Sequence, residues 1–439
     1  MASEILAGIA SEIITPEVGC QLAGFDARKG VATGVHDDLF ARALVLDDGN
    51  TTAALVSVDV LGVSRPFADK VRSSIEQRTG IPARHIVISA THTHCAPVTL
   101  NHFFNQGQPL DEQYLERLAA GITASVERAH QTRRPRRLRS GSVSVEGIAV
   151  NRRTENGLPI DQTAGVITIE ELDGNPAAVS VFYPCHTTTL GPNTLEITAD
   201  FPYYTIARLK EKLGADVGVL YFNGAEGDLS VGHKSDLSAV GIIAPNRTFE
   251  RAEELGNRLA DCVYAGIAGL LPEDACLAVE RTISLLPLKS YAPLAEMRSI
   301  RRHAGEEMRR AEESGAADRD LILARQRSLF TRIEEYYASL SECLAEPKLL
   351  EAELTAIRIG DTVLVSLPGE VFVAISLAIR QRSPFKSTLF VGLANDYIGY
   401  IPTAEAITSL GYEVVASRVT PGAAAVLTDS AVELLRSLK

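Results

Sequence analysis

Residues 165–186, "GVITIEELDGNPAAVSVFYPCH", read as a β-rich run, an Asp-Gly turn and a second β-rich run that closes on His186. The pattern occurs twice more, in "FARALVLDDGNTTAALVSVD" (40–59) and "LTAIRIGDTVLVSLPGE" (354–370). Apolar runs around an Asp-Gly or Gly-Asp turn are the strongest local hairpin signal. Each unit therefore predicts a hairpin whose second strand carries Asp59, His186 or Glu370 to its trailing end, where α/β sheets place their chemistry. Three helical segments lie between them. Residues 64–80 begin at Ser64 and end near Gly80, residues 111–131 begin at Asp111, and residues 245–270 form the third. Strands alternating with helices define an α/β protein with mixed sheets flanked by helices.

From Tyr291 to Leu344 the chain changes character, becoming dense in Arg and Glu at helical spacing. It predicts a helical hairpin turning at "ESGAAD", with solvated faces laced by i,i+4 pairs. No Pro/Ser/Gly linker divides the chain, so residues 1–439 are expected to form one catalytic domain carrying this insertion. Charged residues are 22% and the net charge is −12, which argues against nucleic acid or an anionic membrane as the main partner. The amino-terminal stretch lacks the basic start of a secretory signal, and Val363–Ile379 is broken by Pro368, Gly369 and Glu370. Six cysteines without a CxxC pair read as reduced, buried thiols. The expected location is the cytoplasm.

"SATHTHCAP" (89–97) follows the apolar run Ile86–Ile88. On a strand, His92 and His94 would share one face, with Thr91 and Thr93 on the other. Two such imidazoles suit a metal-ligand pair, a ligand plus an acid/base, or a solvated pair. His92, His186 and Glu370 give an N,N,O set suited to Zn²⁺, with room for water as in a catalytic site. "YFNGAEGDLSVG" (221–232) runs a strand into glycines that would bring backbone N–H groups toward a substrate oxygen. It also sets Ser230 on a tight turn, as a nucleophile or, more commonly, a turn serine. Tyr397, Tyr400 and Tyr412 follow a further strand, where a phenol can donate to an oxyanion or bind metal once deprotonated.

The ordered blocks "THTHCAP", "NRR", "HTTTLGPN…ITAD", "GDLS", "PGE" and "ANDYIGY…GYEVVAS" resemble the neutral/alkaline non-lysosomal ceramidase family, from about Ala7 to Ser417. The resemblance implies a zinc-dependent amidase on a mixed α/β domain, with one zinc per chain. It puts the zinc ligands on His92, His186, Glu370 and Tyr400, the active-site serine on Ser230, and the second histidine of the motif on His94. A substrate-contacting tyrosine falls on Tyr412 and the arginine after Asn on Arg152. The chain departs from the family where "CAPVTL" replaces the usual "SGPGG" and in the charged segment from Tyr291 to Leu344, which has no counterpart in the motif set.

The expected activity is hydrolysis of a C–N amide bond in a small soluble substrate by metal-activated water. His94 would move the proton, and Tyr412 and Arg152 would hold the oxyanion or an acidic substrate group. Ser230 would attack or orient. His36 and Asp59 are candidates to orient a ligand imidazole or line the pocket. Ester or lactone hydrolysis, ceramide hydrolysis and a non-catalytic zinc protein are the alternatives. No nucleic-acid or membrane partner is expected, and homo-oligomerisation stays open.

Overall fold

The computed structural model describes residues 4–103, 109–153, 159–344 and 348–439. All three expected hairpins form: Phe40–Asp47 with Thr52–Val58, Thr163–Glu170 with Pro176–Tyr183, and Leu349–Ile359 with Thr362–Ser366, each antiparallel. The first two belong to one nine-stranded mixed sheet, in which Ile86–Ala90 runs parallel to Thr52–Val58 and Gly218–Asn223 parallel to Pro176–Tyr183. Those two parallel strands are the ends of the strand order, yet they meet in space. Ser57 Oγ donates to Tyr221 O (2.5 Å), and Asn223 Nδ2 to Thr91 O (3.4 Å). The sheet therefore curls on itself, and the loops after its parallel strands converge.

The third hairpin belongs to a four-stranded sheet with Leu277–Pro287 and Ser387–Val391. Leu44, Leu55 and Val87 from one arm of the large sheet, Phe182 and Leu220 from the other, and Ile357, Leu364 and Leu389 from the second sheet share one interior. Helices cover the outer faces. Arg65–Thr79 and Glu112–Gln131 pack on the first arm, Phe201–Leu213 and Phe249–Gly266 on the second, and Val373–Arg382 and Ala423–Ser437 on the smaller sheet. Local chemistry sets their ends: the Asp111 side chain accepts from Tyr114 N, and Gly80 caps in the left-handed region (φ 76°).

The charged segment is a hairpin of Leu294–Glu313 and Asp318–Glu342. Its ion pairs differ from the expectation. Most run across the hairpin, as in Arg301–Glu335 (2.8 Å), Arg325–Glu312 (3.0 Å) and Arg327–Glu307 (3.0 Å), whereas the i,i+4 contact Arg310–Glu306 is long at 3.9 Å. The two helices lie side by side, so these arginines meet carboxylates of the facing helix rather than of their own. The cysteines need a correction as well. All are free, but only Cys95 and Cys185 are buried, while Cys276 and Cys343 are exposed. Among the described residues no helix is long and apolar enough to cross a membrane.

Glu353, buried on Leu349–Ile359, ties this sheet to helix Arg65–Thr79. It accepts from the buried Arg72 (2.5 Å), from Arg281 (3.0 Å) and from Asn395 Nδ2 (3.3 Å). Removing one partner of a buried ion pair strands the other charge, at a cost of about 3–5 kcal/mol. Glu353→Ala should lower the urea midpoint by a matching amount with an unchanged m-value. A loss below about 1 kcal/mol, the range of an exposed pair, would show the pair to be dispensable.

Candidate metal centre

His92 lies beyond its strand, which ends at Ala90, and takes up the left-handed region at φ 65°. The alternation argument that paired it with His94 therefore does not apply, although the two rings do meet. Their Nε2 atoms are 3.4 Å apart and the rings are edge-on, with centroids separated by 4.9 Å. Backbone pairing across the curled sheet fixes His92, whose N–H donates to Val60 O (3.0 Å). Gly24 (φ 88°) presses against His94, and a Cβ there would lie 2.3 Å from the ring. His186 follows Pro176–Tyr183 by three residues, and its N–H donates to Leu229 O (3.2 Å). Glu370 sits in the short strand Glu370–Val371, paired with Tyr400–Ile401 in the register Glu370↔Tyr400.

The ligand atoms of His92, His186 and Glu370 all lie within 4.8 Å of one another, and all three side chains are buried. Proton accounting tests whether they suit a metal. His92 Nδ1 faces Leu61 O (2.7 Å), and His186 Nδ1 faces Glu226 O (2.8 Å) and Leu229 O (3.0 Å). A carbonyl only accepts, so each Nδ1 carries the proton and each Nε2 presents a lone pair. Those lone pairs point at Glu370 Oε2, 2.8 Å from His186 and 3.7 Å from His92. Burial pushes both imidazoles down, His92 to about 4, so neither is cationic near neutrality. Burial alone would raise Glu370, but the neighbouring His92 and His186 rings and the Tyr397 hydroxyl hold it well below the usual carboxylate range. Three electron-pair donors thus converge with no proton between them. The donor set fits a divalent cation, with the backbone carbonyls behind each imidazole fixing its tautomer.

Tyr400, also buried, completes one side. Its hydroxyl is 3.5 Å from His186 Nε2 and accepts from Arg152 Nη2 at 3.0 Å. Burial holds this phenol well above its ordinary range, with Glu370 adding to the effect and Arg152 opposing it. Arg152 also donates to Gly227 O (3.0 Å) and lies 2.8 Å from Glu413, which pairs with Arg153 as well (3.2 Å). Asp228 links the remaining motifs: one oxygen accepts from Val373 N and the other from Asn151 Nδ2, both at 2.8 Å. Asp200 caps Phe201–Leu213 and accepts from Leu190 N (3.0 Å), tying the loop after His186 to that helix.

A cavity of about 40 Å³ opens on this centre, lined by His92, His94, His186, Glu370, Arg152, Tyr397, Tyr400 and Tyr412 among others. Ser230 is not among its lining residues. Its hydroxyl is fully buried and donates to His233 O (2.9 Å). The glycines beside it do not aim N–H groups at a substrate, because Gly224 N–H donates to Tyr183 O (3.2 Å) and Gly227 N–H to Val371 O (3.0 Å). Glycine is needed at 227 for another reason: a Cβ would lie 2.4 Å from Glu370 O. His36 and Asp59 also sit elsewhere. Asp59 accepts from Arg42 (2.6 Å) and Phe40 N (2.9 Å), and His36 bonds Asp37 (2.9 Å) and stacks on Phe249. Both are structural ties rather than partners of a candidate ligand.

Sequence reasoning missed two residues, His233 and Glu226, and named a third, Tyr397, without its partner. Tyr397 donates its hydroxyl to Glu370 Oε1. His233 lines the cavity with Nδ1 buried and unpartnered. Glu226 is buried with both oxygens unpartnered, and burial pushes its carboxyl well up. Nothing local in the sequence marked His233 or Glu226.

The chain is thus a mixed α/β protein whose curled sheet carries a buried three-donor centre. Residues 6–216, just under half of the chain, match the family model "Neutral/alkaline non-lysosomal ceramidase, N-terminal", which bears out the resemblance read from the motifs. Among relatives, the neutral ceramidase of Drosophila pseudoobscura pseudoobscura is 25% identical over 221 residues, 46% of this chain and 31% of that protein. Neutral ceramidase A of Dictyostelium discoideum is 22% identical over 208 residues, 43% and 29% respectively. The matched stretch is thus less than a third of either relative. The crystal structure of neutral ceramidase from Pseudomonas aeruginosa superposes with a TM-score of 0.77 at 18% identity, covering 100% of this chain and 75% of that one. At that identity the likeness shows the fold.

Proposed function

We propose that the protein is a zinc-dependent hydrolase of C–N amide bonds, with His92, His186, Glu370 and Tyr400 holding one zinc. The convergence of three unprotonated donors on one point of the cavity carries this reading. The matched relatives' name, neutral ceramidase, supports hydrolysis of an amide. Zinc supplies a Lewis acid and lowers the pKa of bound water to about 7.

The chain's own groups supply the rest. His94, half-buried beside His92 and held neutral by desolvation, accepts the proton lost by the attacking water and returns it to the leaving amine. Tyr412 donates to the oxyanion. Arg152 holds Tyr400 and braces the wall through Glu413. Ser230 fixes the turn that presents His233; acting as nucleophile would require its hydroxyl to leave the His233 carbonyl. The net charge of −12 opposes an anionic membrane surface, so a small soluble amide is proposed as the substrate. Six free cysteines support a reducing compartment, and a cytoplasmic location is proposed with them.

Comparing kcat/KM of the zinc-loaded protein on short acyl amides and on detergent-dispersed ceramide tests the substrate, and a clear preference for ceramide would overturn the soluble-amide reading. The ligand set has its own test. With both imidazoles already neutral and Glu370 ionised, zinc binding at pH 7 should release about one more proton from the wild type than from Tyr400→Phe. Calorimetry in buffers of different ionisation enthalpy measures the difference. Equal release would remove Tyr400 from the ligands.

A further inference from the structure

We infer that the helical hairpin forms an anion-reading vestibule over the metal centre, so that the amide cleaved there carries an anionic group remote from its scissile bond. This rests on the hydrolase reading and adds to it the substrate class. A second cavity, of about 660 Å³, adjoins the first and shares Asp26, Ala239 and Leu329 with it. The space at the centre accepts a reacting group and little more, so the rest of a substrate lies in the larger cleft.

Six arginines line that cleft: Arg298, Arg301, Arg302, Arg309, Arg325 and Arg332. They recur at helical spacing. Positions 298, 301, 302 and 309 lie on one face of Leu294–Glu313, and 325 and 332 flank the cavity residue Leu329 on Asp318–Glu342. Three carboxylates serve four of them: Glu335 for Arg298 (3.7 Å) and Arg301 (2.8 Å), Glu312 for Arg325 (3.0 Å), and Asp26 for Arg332. Among the described residues, Arg302 and Arg309 have no carboxylate partner and both are exposed. The cleft is therefore cationic on a chain of net charge −12. A concave patch of sign opposite to the whole molecule concentrates counter-charged ligands, and guanidinium forks bind carboxylates and phosphates in pairs of hydrogen bonds.

The test uses the zinc-loaded full chain and p-nitroanilides of succinic, glutaric and adipic acids, each beside its neutral butyryl, valeryl or hexanoyl counterpart. The best anionic anilide should exceed its neutral match in kcat/KM by roughly tenfold or more at low salt, and the margin should shrink as salt screens it. Arg302→Ala/Arg309→Ala should cut that preference by roughly fivefold or more with zinc content and melting temperature unchanged. Hydrolysis of neutral anilides with no anionic preference, or a preference unaffected by the double variant, would overturn the vestibule and leave the hydrolase reading standing. If no anilide is cleaved, calorimetric binding of glutarate that the double variant loses would keep the vestibule while the hydrolase reading fails. Sedimentation with phosphatidylserine vesicles, lost in the variant and without discrimination among the anilides, would assign the arginines to a membrane surface and overturn the proposal.

Discussion

Glu370→Gln is expected to empty the zinc site and take hydrolysis below detection while leaving the fold intact. The substitution keeps the side chain's shape and removes its charge. The carboxylate faces two imidazole lone pairs, and a cation between them resolves the clash. A glutamine amide resolves it another way, because its N–H donates to His186 Nε2 and satisfies the donors without metal. Zinc affinity should therefore fall by more than the roughly 10–100-fold that loss of an outer hydrogen-bond partner costs. The metal-free variant should melt no lower than the metal-free wild type. Elemental analysis and competition with a chelator check the first expectation, and thermal unfolding the second. A variant that keeps stoichiometric zinc would remove Glu370 from the ligand set.

The three hairpins were legible because each carries its own turn chemistry between β-rich runs, and hairpin formation is local. Their trailing residues were legible as candidates for the same reason, yet only two of the three reach the cavity. Asp59 immediately follows its strand and turns to Arg42, a partner 17 residues earlier across the hairpin, which no end-of-strand rule distinguishes from a site. His92 and His94 meet for a reason the sequence concealed: the strand stops at Ala90, and a left-handed residue re-aims the chain. His233 and Glu226 depend on the curling of the sheet, which brings the strand Gly218–Asn223 beside Ile86–Ala90. Long-range closure of that kind leaves no periodic trace. The arginine face of the hairpin was visible as helical charge, but its target was not, since only packing shows that Leu329 of the same helix reaches the centre.

Tyr412→Phe and Tyr397→Phe, alike as sequence changes, should fail in different ways. Tyr412 opens the short helix Tyr412–Val415, its N–H bonded to Asp236 (2.7 Å) and its ring edge-on to Tyr400 at 6.0 Å, so the phenol is held at the cavity wall. Burial, with Glu370 nearby, keeps its pKa well above the ordinary phenol value, so it stays a donor through the neutral range. A donor aimed where charge develops contributes mainly to kcat, and its loss costs about 10²–10³-fold. Tyr412→Phe should show that loss with full zinc and a nearly unchanged KM. Tyr397 spends its hydroxyl on Glu370 Oε1, so Tyr397→Phe should instead weaken zinc by roughly 10–100-fold and recover near-normal kcat when zinc is supplied in excess. The decisive measurement is turnover against free zinc for both variants. A Tyr412→Phe defect that excess zinc repairs would make that phenol a support of the metal site, leaving the oxyanion to other donors.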